Sequence, residues 1–133
     1  MISSKGRYAL RVMLDLAVFE QENDGYSPLK DIAERQDLSI KYLEIIMKDM
    51  VRHKLVVGIS GKGGGYKLTK KPEDYNVGEV LEKLEGPLAP VSCLKDKGFD
   101  CPRNNICNTL PMWREFNGMV HDFFYSRKLS DLM

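Results

Sequence analysis

Residues 39–71 read SIKYLEIIMKDMVRHKLVVGISGKGGGYKLTKK, and the fold turns on how this stretch divides. Leu43, Ile46, Met47 and Met50 recur at helical spacing, which predicts a helix over about 40–53 with those side chains inward and Ser39 as its cap. Leu55-Val56-Val57-Gly58-Ile59 is β-branched, and Tyr66-Lys67-Leu68-Thr69 alternates as a second strand. The glycine-rich residues 60–65 between them predict a β-hairpin, a wing of about 55–70, with a flexible basic tip. Glycine runs also occur in nucleotide-binding loops. Here no strand-to-helix transition follows, and no Gly-Lys-Ser/Thr ending is present.

Working upstream, residues 7–20 set Ala9, Val12, Met13, Leu16 and Ala17 on one face and Leu10, Leu14 and Val18 on a second stripe. That pattern predicts a helix buried on more than one side. Asn23-Asp24-Gly25 ends it, and Ser27-Pro28 is expected to act as a cap followed by proline at the first helical position. The short helix that follows carries Leu29, Ile32 and Ala33 inward, and Gln36-Asp37 turns the chain into the helix over 40–53. Two short helices across so tight a turn match a helix-turn-helix, whose second helix enters the major groove. Helical hairpins that touch no DNA share the pattern, but a hairpin wing placed directly after it makes a winged helix. On this reading Ser39, Lys41, Tyr42, Glu44 and Lys48 face DNA from the third helix, and Ser60 and Lys62 from the wing.

Charge distribution agrees. Residues 41–71 hold eight Lys/Arg against two acids, Glu44 and Asp49, in a chain whose net charge is only +1. Phosphate neutralisation requires such a basic segment, although a solvated charged face would look the same.

Downstream, Asn76-Val77-Gly78-Glu79 is a capping-box pattern that opens a fourth helix of about 76–85, burying Val77, Val80, Leu81 and Leu84. Gly86-Pro87 stops it. The chain's three cysteines, Cys93, Cys101 and Cys107, then fall within fifteen residues of a stretch rich in Asp, Asn, Lys, Gly and Pro. Thiolates gathered this closely can converge on one metal centre, because soft sulfur suits iron–sulfur clusters, zinc and copper(I). A longer helix is expected from Leu110-Pro111, with Trp113, Phe116, Val120 and Phe123 at near-heptad spacing, joined by Met112, Met119 and Phe124. So aromatic a stripe outside the winged domain predicts a two-fold homodimer interface, placing two recognition helices on a pseudo-palindromic operator of double-stranded DNA. The expected organisation is therefore a winged-helix domain over 1–86, a cysteine loop over 87–109, and a dimerisation helix with its tail over 110–133.

With 133 residues, 43% apolar and 29% charged, the chain suits one globular domain with an appended arm. Lys5, Arg7, Arg11 and Asp15 interrupt its apolar start, so neither a signal peptide nor a membrane anchor is expected. An odd cysteine count without a secretory signal points to a reducing compartment, the cytoplasm by default. No acylation or phosphate motif accompanies the cysteines, His53 or His121, so no enzyme is expected.

In chain order, Lys5-Gly-Arg-Tyr-Ala, Ile32-Ala-Glu-Arg-Gln, Tyr42-Leu-Glu, the wing Gly61-Lys-Gly-Gly-Gly-Tyr66, Val77-Gly-Glu-Val80, the three cysteines and the closing Leu129-Ser-Asp-Leu132 resemble the IscR/NsrR/CymR group of bacterial winged-helix transcription regulators. The resemblance covers nearly the whole chain and implies a homodimeric DNA-binding regulator. Its cysteine-bearing branch further implies an iron–sulfur cluster, 2Fe–2S or 4Fe–4S, held by Cys93, Cys101 and Cys107 and sensing cluster status, redox state or nitric oxide. The gap between Cys93 and Cys101 is longer than in the IscR subtype, while the second gap fits. Where that subtype has a histidine this chain has Leu110, and where the NsrR subtype has an N-terminal aspartate it has Arg7. The fourth position is thereby left to another side chain (Asp96, Asp100, Glu115 or His121), a small thiol, water or the partner subunit. Ser60 replaces the arginine that enters the IscR wing, and Glu44 matches the acidic residue of the family's recognition helix. A zinc or thiol sensor without iron fits the same cysteines, and the cysteine-free CymR type implies control by a protein partner instead.

Overall fold

Ser3 opens the first helix: its Oγ accepts the Gly6 N–H, and α1 runs Ser4–Glu22, three residues earlier and two later than apolar spacing predicts. The structure, a computed structural model, describes residues 2–94, 102–103 and 105–133. Beyond α1 come α2 (Leu29–Gln36), α3 (Ile40–Arg52), β1 (Val56–Ile59), β2 (Gly65–Leu68), α4 (Val77–Glu85) and α5 (Leu110–Tyr125), with short 3₁₀ turns at Pro72–Asp74, Ser92–Leu94 and Leu129–Leu132. The architecture is mainly helical with one small antiparallel hairpin, as the winged-helix expectation requires. No described helix is long and apolar enough to cross a membrane.

The tight turn between α2 and α3 rests on Asp37, which takes a left-handed conformation (φ 53°) while the Leu38 N–H donates to the Ala33 carbonyl at 3.0 Å. Aspartate tolerates that region because its short polar side chain bonds locally. Ser39 caps α3 as expected, accepting the Tyr42 N–H at 3.1 Å. Around this turn, Val12, Met13 and Leu16 of α1, Ile32 of α2, and Leu43, Ile46, Met47 and Met50 of α3 close one core with Val56, Leu68 and Tyr75. The last turn of the chain joins it, since Leu129 is wholly buried there and its N–H donates to the Tyr75 carbonyl.

Ser27 does not cap α2. Pro28 holds that position without a side-chain bond, and Ser27 instead exchanges both backbone hydrogen bonds with Tyr66 of β2, at 2.9 and 2.8 Å. Tertiary pairing outcompetes the local cap because Gly65 brings the wing so near that a Cβ there would overlap the Ser27 carbonyl. The capping box at Asn76 is also only half formed. Its Oδ1 accepts the Glu79 N–H, but Glu79 stays exposed and the Asn76 amide donates to the Tyr125 carbonyl at 2.7 Å.

A second, smaller cluster of Val77, Leu81 and Leu88, with Ile2, Leu10, Val120 and Phe124 against it, seats α5 on the back of α4. Gly78 makes this approach possible, since a Cβ there would overlap the Tyr125 ring. The Tyr125 hydroxyl donates to Glu82 at 2.5 Å, and the Val77 N–H donates to the Arg127 carbonyl at 2.9 Å. These bonds fasten the C-terminal end of α5.

Candidate nucleic-acid interface and cysteine loop

The amphipathic pattern of α3 leaves Lys41, Glu44, Ile45, Lys48 and Arg52 on its solvent side. Of the residues expected to face DNA, Lys41, Glu44 and Lys48 share this exposed face. Ser39 is exposed at the cap, and Ser60 and Lys62 lie exposed in the turn of the wing. Tyr42 differs: it is half-buried, with its ring edge-on to Tyr8 at 5.8 Å between centroids. Its aromatic body thus belongs to the α1–α3 contact.

Asp49, which sequence reading left as one of two acids in a basic segment, is buried on the inward flank of α3. Lys5 of α1 donates to it at 2.9 Å, Arg52 pairs with its other oxygen, and His53 stands 3.6 Å away. Burial pushes the Asp49 carboxyl up, but the hydrogen bond and charge of Lys5, with Arg52 and His53, outweigh it and hold the group below its ordinary range. The carboxylate therefore ties α3 to α1 and orients cations beside the exposed face of α3.

A second ionic set fixes the wing. Arg35 of α2 pairs with Asp15 of α1 at 2.6 Å and donates to the buried Ser27 hydroxyl at 2.8 Å, and Ser27 in turn holds Tyr66. Glu20 of α1 accepts the Leu68 N–H at 2.9 Å, and burial raises its carboxyl despite that bond and the Lys67 charge. Behind the hairpin the buried Tyr75 hydroxyl donates to the Leu55 carbonyl at 2.8 Å and accepts the Thr69 and Lys70 N–H groups at 2.9 and 3.0 Å. Arg35 and Tyr66 fall within stretches that carry the family resemblance, but nothing local in the sequence assigns them or the others this positioning role. Only burial and long-range pairing reveal them.

Cys93 sits half-buried in the turn Ser92–Leu94, just beyond Leu88 and Ala89, which are buried. Cys107, also half-buried, precedes α5. Both thiols are free. The Cys107 Sγ lies 3.4 Å from the Thr109 hydroxyl, and this hydrogen bond, helped by the nearby Thr109 and Leu110 backbone, holds its thiol below the ordinary value. Cys101, Asp96 and Asp100 lie outside the described residues. Among the described residues no three His, Cys, Asp or Glu side chains gather on one point. Leu110 is buried at the start of α5, and Arg7 is exposed and bonds to Ser4; neither side chain offers a donor to a metal. Glu115 is exposed, and the exposed His121 stacks on Tyr125 at 4.1 Å.

The four residues expected at a dimer interface divide between two stripes of α5. Trp113 and Val120 fall with Asn117 and Phe124 on the half-buried stripe, and Val120 and Phe124 pack on the second cluster. Phe116 and Phe123 fall with Met112 and Met119 on the neighbouring stripe, where all four are between 41% and 63% exposed. The free apolar seam is thus 112, 116, 119 and 123, because α4 already covers Val120.

A family model described as "Rrf2: Iron-dependent Transcriptional regulator" matches residues 2–133. The transcriptional regulator IscR of Aliivibrio salmonicida is 36% identical over 132 residues, spanning 99% of this chain and 76% of that protein. CymR, the global cysteine regulator of B. subtilis, superposes with a TM-score of 0.76 at 34% identity, over 99% of this chain and 95% of its own. IscR of T. potens superposes with a TM-score of 0.76 at 33% identity, over 99% and 85%.

Proposed function

Because the chain belongs to the Rrf2 family, whose members are named as transcriptional regulators and not as enzymes, we propose that it binds a pseudo-palindromic operator in double-stranded DNA as a cytoplasmic homodimer and responds to an iron–sulfur cluster held by Cys93, Cys101 and Cys107. Lys41, Glu44 and Lys48 read the major groove from α3, with Ser39 at the helix cap and Tyr42 at its edge, and Lys62 and Ser60 meet the backbone from the wing. Lysines there neutralise phosphate, and a carboxylate such as Glu44 accepts from cytosine or rejects the wrong base. The exposed seam of Met112, Phe116, Met119 and Phe123 supports a two-fold pairing of α5 with its counterpart.

The observation that carries the sensing half is that Cys93 and Cys107, both free and half-buried, flank the loop between α4 and the start of α5. The donor set fits a thiolate-ligated centre: its sulfurs are soft, those of Cys93 and Cys107 are free, and the Thr109 hydroxyl lowers the Cys107 thiol from its ordinary value. When bound, a cluster supplies a redox-active centre whose potential depends on hydrogen bonding and exposure. Gathering three thiolates on it ties Cys93, next to the docked Leu88 and Ala89, to Cys107 at the head of α5. The C-terminal end of α5 is already fastened to α4, so its direction becomes the variable that couples the loop to the spacing of two recognition helices. Such coupling requires unequal affinity for the centre in the DNA-competent and incompetent states.

The test is an anaerobic visible spectrum with iron and sulfide quantitation on the purified protein. Stoichiometric iron and sulfide are expected, and Cys93→Ala, Cys101→Ala and Cys107→Ala should each remove the visible absorbance while leaving the helical circular dichroism unchanged. A colourless protein, with zinc or with no metal, would move the reading to a zinc or thiol regulator. The free Cys107 thiol, held against the Thr109 hydroxyl, suits that second reading equally well.

A further inference from the structure

Lys41, Ile45, Lys48 and Arg52 follow one another along α3 at intervals of four, three and four residues, the spacing that puts side chains on a single stripe of a helix. The stripe lies opposite the inward residues Leu43, Ile46, Met47 and Met50. Three of its members are cations, and the fourth is apolar. Ile45 is 56% exposed, more than any other large apolar side chain of α1, α2, α3 or the wing. Ile40 and Val51 are also exposed, but they share a flank of α3 roughly a quarter turn to the side. Ile45 further borders a groove of about 530 Å³ formed with Lys5, Lys48, Arg52 and the buried Asp49. Asp49 accepts from both Lys5 and Arg52, which holds two cations beside the isoleucine.

These neighbours select what Ile45 meets. A protein surface seated on it would have to desolvate Lys41, Lys48 and Arg52 as well, whereas DNA phosphates neutralise them. The isoleucine end offers neither donor nor acceptor, so it reads no hydrogen-bonding edge of a base. The apolar mark among the base-pair edges of the major groove is the C5 methyl group of thymine. We infer that Ile45 is a specificity-determining residue that recognises a thymine of the operator half-site through this methyl group. The inference rests on the major-groove reading of α3 proposed above and is independent of the cysteines. It also divides the labour on the helix: the Glu44 carboxylate tests for a hydrogen-bond donor, and Ile45 tests for a methyl group.

The experiment first selects an operator from random duplexes with the full chain, both as purified anaerobically and after treatment with a chelator. Each thymine of the half-site is then replaced in turn by deoxyuridine, which removes the methyl group and keeps the hydrogen-bonding edge. Fluorescence anisotropy gives the affinity of each duplex for wild type and for Ile45→Ala. At one thymine position the wild type should bind about fourfold more weakly to the uracil duplex, the worth of one methyl group withdrawn from water. Ile45→Ala should bind those two duplexes equally. An enriched operator without a methyl-sensitive thymine, or a methyl penalty that persists undiminished in Ile45→Ala, would overturn this inference alone. Weakened self-association of Ile45→Ala in sedimentation equilibrium would also overturn it, by placing the residue in a protein contact. Failure of either form to enrich any duplex would overturn the major-groove reading of α3, and this inference with it.

Discussion

The winged-helix half and α5 carry apolar side chains at similar helical spacing, yet they close in opposite ways. Val12, Met13, Leu16, Ile32, Leu43, Ile46, Met47 and Met50 are wholly removed from water by one another. Among the sixteen residues of α5 only Leu110 is buried, and a full stripe from Met112 to Phe123 stays open. The first half finds its complement within the chain, because three helices and a hairpin converge on one volume. The second finds half of its complement, on Val77, Leu81 and Leu88 of its own domain, and leaves the rest outward. Apolar periodicity thus announces that a face needs cover without naming what covers it.

The contrast breaks most visibly in the closed core. Leu43→Ala should cost about 2–5 kcal/mol in urea unfolding, since it empties a fully packed site. A loss under about 1 kcal/mol would mean that the core is not closed as described. On the open stripe the same logic runs through association. Phe116→Asp should leave the monomer's unfolding midpoint nearly unchanged and weaken self-association by roughly 2–4 kcal/mol, the range of a central interface residue. Sedimentation equilibrium reads this directly, and an unchanged dimer would remove the seam from the interface.

A smaller effect separates the two halves by pH. Asp49→Asn should cost about 1–3 kcal/mol at neutral pH by removing the negative charge and one of the two oxygens that accept from Lys5 and Arg52. The folded carboxyl lies below its ordinary value, so its stabilisation is complete above the unfolded value and is lost as pH falls through the lower folded one. The wild-type advantage should therefore begin to fall below about pH 4 and be lost in stronger acid. An advantage that instead grew on acidification would reverse the sign assigned here. The smallest effect belongs to the wing tip: Lys62→Ala should weaken binding to every DNA sequence about equally and lower the salt slope by roughly one. A change confined to one operator sequence would make Lys62 a base reader.

Much of the winged half was legible because local and tertiary signals agree there. Ser39 caps α3, the Gly-rich turn makes the hairpin, and the inward residues of α3 are those its spacing picks out. Legibility failed where a group had two possible partners. Ser27 has the chemistry of a cap but pairs with Tyr66, and Asn76 divides its amide between its own helix and Tyr125. Val120 fits a heptad seam as well as Phe116 does, and only the position of α4 decides which faces inward.

The sequence by itself determined the order of helices, the wing, the basic segment and the cysteine triplet, because each depends on side chains close together along the chain. Tertiary structure alone decided that Asp49 is the buried acid that orients α3, and that Asp15 and Arg35 hold the wing through Ser27. Those outcomes depend on residues such as Lys5 and Asp49, or Glu20 and Leu68, which are distant in the chain and meet only when the core closes. No local periodicity encodes such a meeting, since burial and charge pairing act through space.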